Sequence, residues 1–261
     1  MKELRFLKNN LNYLINSNIE NNSINNSKKW LKGVPHKNIR KLGELPVIAY
    51  SILLAKMVKE IDRVIVSTDS EKYALIAKEF GAEVPFLRPK HISGDKSTDL
   101  DAFKYCINWL EENENYKPEL IFHFRPTTPL RSPLIIKDAL KAIIDNPSTS
   151  LRSGHKAPES PFKWFLKDEE GYFKGLQENI DSERVNMARQ VFPDVYVPDG
   201  YVDIIKTDTI IEQGTLHGDK MLVFESPRCW EIDTEEDFKF LEYKINNESS
   251  PIIEYHNNLK K

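Results

Sequence analysis

The segment R-V-I-V-S-T-D, residues 63–69, constrains the fold more than any other stretch of this chain. A short apolar, β-branched run ends in small polar residues and passes into a helical stretch, 70–80, that stops at Gly81. A run apolar on both faces is the pattern of a parallel strand buried between helices. The unit recurs: residues 120–124 reach R-P-T-T-P-L-R, and a helix is predicted over 133–145. Two more helices are predicted, over 46–59 with Pro46 in its first turn and over 98–112. Repeated alternation of this kind predicts an α/β fold with an open, mostly parallel sheet and helices on both faces. Ligands of such sheets gather outside the carboxyl ends of the strands, so a site is expected in the loops after Val66 and Phe124.

The rhythm breaks in three places. Residues 1–28 form an atypical, asparagine-rich extension in which Leu4, Leu7, Leu11, Leu14 and Ile15 recur at helical spacing, predicting a short amphipathic helix and a polar loop. Residues 151–196, rich in aromatics and turns, read as a β-rich insertion within a domain spanning 29–245. Strands are predicted at 201–205 and 221–224, then E-I-D at 231–233 leads into a helix over 234–244, and residues 246–261 read as a tail.

Bulk properties narrow the function. A formal charge of −3 with interspersed signs argues against a nucleic-acid partner, while leaving room for a local phosphate pocket. Two cysteines far apart, Cys106 and Cys229, fit a reduced cytoplasmic protein better than a disulfide scaffold. No run approaches the length of a membrane span, and no signal-peptide core is expected at the N-terminus.

Five constellations carry candidate chemistry. In K-G-V-P-H-K-N-I-R, 32–40, Lys32 and Lys37 suit a loop that wraps a triphosphate and Asn38 suits a base or sugar; an exposed basic turn is the alternative. Ser67 and Asp69, at a strand's carboxyl end, suit a nucleotide, or the same segment caps the next helix. Arg88 offers a fork of donors to a pyrimidine edge, followed by G-D-K-S-T-D, whose Thr98 and Asp99 also read as helix-start residues. Arg125, Thr127, Thr128 and Arg131 place two cations and two hydroxyls directly after a buried strand, a natural partner for an acidic substrate; a structural proline turn is the alternative, though it would not need both arginines. Glu231 and Asp233 would point to one face of a strand and share a hard cation, or the segment caps the last helix through Asp233 or Thr234.

Taken in order, K-G-V-P-H-K-N, V-I-V-S-T-D, G-A-E-V-P-F-L-R-P, R-P-T-T-P-L-R, A-R-Q, D-G-Y-V-D and E-I-D-T-E-E-D-F resemble the acylneuraminate cytidylyltransferase family over residues 32–245. The likeness is greatest to bacterial members that make CMP-legionaminic, CMP-pseudaminic or CMP-sialic acid. It implies a nucleotide-diphospho-sugar transferase fold, a Rossmann-like core with a β-rich arm that packs on a second subunit of a homodimer. It also implies transfer of CMP from CTP to the anomeric hydroxyl of an acidic sugar, with Mg²⁺ and release of pyrophosphate.

By the same resemblance Lys32 and Lys37 are the phosphate-loop lysines, and Asn38, Arg88 and Ser97 lie at the nucleotide. Lys163, Arg189 and Gln190 lie where the arm contacts the sugar acid. Asp233 matches a metal-binding aspartate, with Glu231 where aspartate is common, and Arg125 stands where sialic-acid members often carry glutamine. The family's A-R-x-G-S-K-G loop is altered: Lys28 holds the arginine position, and Lys29, Trp30 and Leu31 replace small residues before Gly33. Residues 11–15 are the candidate for the strand ahead of that loop, with a long loop after it, but their helical spacing argues otherwise. An inactive relative that keeps the fold as a binding protein, a product of a disrupted reading frame, and a 3-deoxy-octulosonate cytidylyltransferase are the alternatives.

Overall fold

The computed structural model describes residues 34–94, 96–177 and 181–261, together with the backbone of 11–16. Ten strands run in chain order: β1 (Leu11–Asn16), β2 (Lys41–Leu42), β3 (Leu45–Pro46), β4 (Arg63–Ser67), β5 (Leu120–His123), β6 (Ser150–Lys156), β7 (Phe165–Lys167), β8 (Phe173–Gly175), β9 (Tyr196–Lys206) and β10 (Met221–Glu225). The helices are α1 (Val47–Met57), α2 (Glu71–Glu79), α3 (Asp99–Glu114), α4 (Pro133–Asp145), α5 (Thr207–Glu212), α6 (Glu235–Asn247) and α7 (Pro251–Leu259).

Six strands form one sheet in the order β10-β6-β9-β5-β1-β4; β9 runs antiparallel to both neighbours and every other pair is parallel. Residues on alternating faces feed two cores. Phe122, Val202 and Ile204 join the larger one with α1, α4, α6 and α7, while Ile121 and Ile205 join the smaller one with Phe103, Ile107 and Ile210 of α3 and α5. This is the α/β layering expected from the alternation. Helix α1 is buried from Val47 through Ala55, because V-I-A-Y-S-I-L-L-A is apolar on nearly every side and sits between the sheet and α7.

Three expectations are corrected. Leu11–Asn16 is a strand hydrogen-bonded on both edges, Tyr13 opposite Val64 and Phe122, where helical spacing had predicted a helix. L-N-Y-L-I-N alternates as well as it repeats every third residue, and two waiting strand edges decide between the periods. The sheet therefore has the strand ahead of the altered loop whose absence the spacing implied. Residues 150–156 belong to this sheet as β6, so the insertion is shorter, about 157–195, and contains the hairpin β7–β8. Residues 251–259, read as tail, form α7, whose Ile252 is buried in the larger core and which packs on α1.

Candidate functional site

The loop after β5 is held from beneath. Arg131, only 4% exposed, donates from Nη2 to the carbonyls of Arg125 and Gly200, each at 2.7 Å, and from Nη1 to Ser51 Oγ at 3.1 Å. Its guanidinium lies over the Phe124 ring, and burial lowers its pKa to about 10. Thr128 is fully buried against Gly200, its amide bonded to the Arg125 carbonyl. Both residues, named from the sequence as substrate contacts, are buried and bonded within the loop, and Arg131 supplies the donor that backbone carbonyls this deep need. A Cβ at Gly200 would sit 2.5 Å from Thr128 Oγ1. Gly200→Ala is therefore expected to cost about 1–3 kcal/mol by overpacking, read as a drop in the midpoint of thermal unfolding.

From this base Thr127 reaches upward. Its hydroxyl donates to Glu231 Oε1 at 2.8 Å, and its carbonyl accepts from the Ile232 amide at 2.9 Å. Residues 231–233 are not a strand as expected; they form an extended strap in which buried Ile232 separates two exposed carboxylates. Lys37, in a 3-10 turn entered through His36 at φ +54°, donates to the Ile232 carbonyl at 2.7 Å and pairs with Asp233 Oδ1 at 3.4 Å. One cluster thus joins Lys37, Thr127, Glu231 and Asp233. The capping alternative also holds here, since Thr234 and Asp237 form a capping box on α6.

No group of three or more His, Cys, Asp or Glu positioned to hold a metal occurs among the described residues. The donor set nonetheless fits Mg²⁺ bound largely by substrate phosphates. Asp233, with a side chain 70% exposed, has carboxylate capacity beyond its one long contact to Lys37.

On the β4 side, Ser70 caps α2 through the Tyr73 amide, meeting the capping alternative, while Ser67 and Thr68 are buried at the strand end. Arg88 is buried there too, its amide bonded to the Thr68 carbonyl and its Nε to Ser93 Oγ. Burial lowers the pKa of Arg88, with Asp69 and Asp99 opposing. Ser97 Oγ accepts from the Gly94 amide and closes its own loop. Asn38 Oδ1 and Asp69 Oδ1 are buried with no hydrogen-bond partner among the described residues. Buried acceptors of this kind call for a donor beyond the described residues, whether water, a ligand or the rest of the chain.

The sequence reading missed a second cluster. Asp203 of β9, 1% exposed, lies between His123 of β5 and Arg152 of β6 in register. Arg125 Nη1 approaches Asp203 Oδ2 at 3.2 Å, Arg152 Nε approaches Oδ1 at 3.7 Å, and His123 Nδ1 stands 3.9 Å from Oδ2. His217 Nε2 contacts Arg152 Nη1 at 3.3 Å. Burial raises the pKa of Asp203 while Arg125 and Arg152 oppose it; burial, then Arg125 and Arg131, hold His123 neutral. The available signal was an aspartate inside the apolar run Y-V-D-I-I.

The arm residues stand apart from these clusters in their bonding. Lys163 Nζ donates to the Met187 carbonyl at 3.0 Å, and Arg189 donates to the carbonyls of Ala157 and Pro158. Arg189 and Gln190 line a cavity of about 550 Å³ with Lys156, Phe192 and Asp194. Lys28, Lys32 and Gly33 lie outside the described residues.

The chain is similar to known proteins over most of its length. The chain is 28% identical over 221 residues to the post-translational flagellin modification protein B of Campylobacter coli, covering 84% of this chain and 92% of that one. It is 31% identical over 222 residues to the CMP-N,N'-diacetyllegionaminic acid synthase of Campylobacter jejuni, covering 82% and 90%. The solved structure of CMP:2-keto-3-deoxy-manno-octonic acid synthetase with CTP shares the fold at a TM-score of 0.62 and 13% identity, covering 92% of this chain and all of that one. The cytidylyltransferase family profile matches residues 32–211, and the chain belongs to the cytidylyltransferase family, a family of nucleotidyltransferases.

Proposed function

We propose that the protein transfers CMP from CTP to the anomeric hydroxyl of an acidic nonulosonic sugar of the legionaminic, pseudaminic or sialic type, releasing pyrophosphate. The observation that carries this reading is the Lys37–Thr127–Glu231–Asp233 cluster, which sets a cation and two carboxylates beside an arginine-lined loop. The relative that makes a CMP-legionaminic acid, alike over most of both chains, supports the sugar class.

In the reaction the anomeric oxygen attacks the α-phosphorus of CTP. A P–O bond to the sugar forms, the bond to the β-phosphate's bridging oxygen breaks, pyrophosphate leaves with that electron pair, and the hydroxyl's proton passes to solvent. Asn38, Asp69 and Arg88 hold the nucleoside end. Lys37, fixed by the Ile232 carbonyl, places its ammonium where charge grows on the phosphates, together with Lys32. Arg125 faces the acidic sugar. Glu231 and Asp233 are the residues to hold Mg²⁺, which when bound supplies Lewis-acid polarisation of the phosphates.

A homodimer is part of the proposal. The arm exposes Trp164, Phe165, Leu166, Tyr172 and Phe173 together, and a second copy would cover them. Both cysteines are free, which supports a cytoplasmic setting; no helix among the described residues is long and apolar enough to cross a membrane. The test is pyrophosphate release from CTP and Mg²⁺ with a panel of nonulosonic acids. Turnover with at least one is expected. No turnover with any, and no CTP binding by calorimetry, would leave a fold without the activity.

A further inference from the structure

We infer that Arg152, paired with Arg125 across the shared Asp203, receives the carboxylate of the acidic sugar and so sets the specificity of the reaction. The inference rests on the function proposed above and names the part of the site that reads the acid.

Asp203 is deeply buried, yet its two oxygens are unevenly served. Oδ2 has Arg125 at 3.2 Å, whereas Oδ1 and the Nε of Arg152 face each other at 3.7 Å, too far for a hydrogen bond. Both atoms are buried without a hydrogen-bond partner among the described residues. The two guanidinium side chains are 27% and 30% exposed; beyond Asp203, Arg125 Nη2 faces Asp99 at 4.0 Å and Arg152 Nη1 contacts His217 Nε2 at 3.3 Å, so part of each donor set faces solvent. A guanidinium carries five N–H donors, and one carboxylate cannot occupy both sets. His123 and His217, whose pKa values burial lowers, add no charge. Asp99 stands 4.0 Å from Arg125 and also acts electrostatically on Arg88. Two arginines on one internal carboxylate are therefore pre-organised for a second, external one.

Position in the sheet argues for the sugar's carboxylate over a nucleotide phosphate. Of the nucleoside residues, Asp69 and Arg88 lie at the β4 end, and Asp203 lies on β9, three strands away in the order β4-β1-β5-β9. At about 4.8 Å per strand that is roughly 14 Å, enough to place a nucleotide on one side and a sugar on the other. The arm cations Lys163 and Arg189 bond to arm carbonyls, whereas Arg125 and Arg152 share one buried carboxylate.

The test uses the full chain, an accepted nonulosonic acid and its methyl ester, with Arg152→Met and the double variant Arg152→Met/Asp203→Asn. Sugar binding is followed by calorimetry in the presence of a non-hydrolysable CTP analogue, alongside steady-state turnover and thermal unfolding. Expected for Arg152→Met is a rise of ~30-fold or more in KM and Kd for the acid. KM for CTP should stay within about twofold, and the preference for acid over ester should collapse. Adding Asp203→Asn should restore the unfolding midpoint but not acid binding. The inference is overturned if Arg152→Met leaves acid affinity unchanged. It is also overturned if all parameters fall together and all return in the double variant, since Arg152 is then only the counter-ion of Asp203. A wild-type protein that neither binds nor turns over any acid sinks the proposed function itself, a result distinct from either.

Discussion

Replacing Lys37 by alanine is expected to lower kcat by about 10²–10³-fold while leaving the protein folded. The ammonium is held by the Ile232 carbonyl at 2.7 Å and flanked by Asp233 at 3.4 Å, so it reaches the cluster without a search through rotamers. A donor fixed before the reaction gains most where charge develops, on the phosphates in the transition state, and so acts on kcat more than on KM. Its contribution to stability is small. The pair with Asp233 is long and solvent-facing, worth under about 1 kcal/mol. Steady-state kinetics with circular dichroism reads both. A Lys37→Ala enzyme with unchanged kcat would remove the lysine from the chemistry, and Lys37→Arg should recover only part of the rate because its fork reaches differently.

The second large effect is on the fold. Arg131→Met should lower stability by about 3 kcal/mol or more, since hydrogen bonds from a charged donor contribute ~1.5–3 kcal/mol each and two backbone carbonyls would be left in the interior. For a domain of this size that corresponds to roughly 6–12 °C in the unfolding midpoint. Methionine keeps much of the side-chain volume, so packing loss is minimised and the lost donors dominate. The carbonyls concerned belong to Arg125 and Gly200 and tie the β5 loop to β9. The Arg125 guanidinium should therefore lose its fixed position as well, and KM for the sugar should rise in whatever fraction remains folded. Scanning calorimetry with substrate titration reads the two effects together. A midpoint unchanged within about 2 °C would show that Arg131 is not what holds the loop.

These two residues show where sequence reading works and where it stops. Helices α1 to α4 and strands β4 and β5 were legible because their signals are local: an apolar run, a Ser70 or Thr98 cap, and a proline at the first turn of α4. Lys37 and Asp233 were legible as residue types beside motifs. Arg131 was not, because an arginine after a strand looks the same whether it faces a ligand or two carbonyls; only the path of β9 past Gly200 decides. Asp203 and Arg152 were hidden for the same reason, their pairing being a property of strand register. Strand β1 was misread because a six-residue segment carries too few positions to separate two periods. The pair Ser250–Pro251 did carry a helix start for α7, a local signal overlooked at the end of a charged stretch.

The central claim is that the α-phosphorus of CTP moves onto an acidic sugar, and following that atom tests it most directly. The full chain is incubated with CTP labelled at the α-phosphate, Mg²⁺ and nonulosonic acids in turn, and the products are separated and weighed by mass spectrometry. The expected result is label in a CMP-sugar and unlabelled pyrophosphate in equal amount, with Lys37→Ala forming both about 10²–10³-fold more slowly. Label that remains in CTP with every acid, in a protein shown to be folded and to bind the nucleotide, would contradict it.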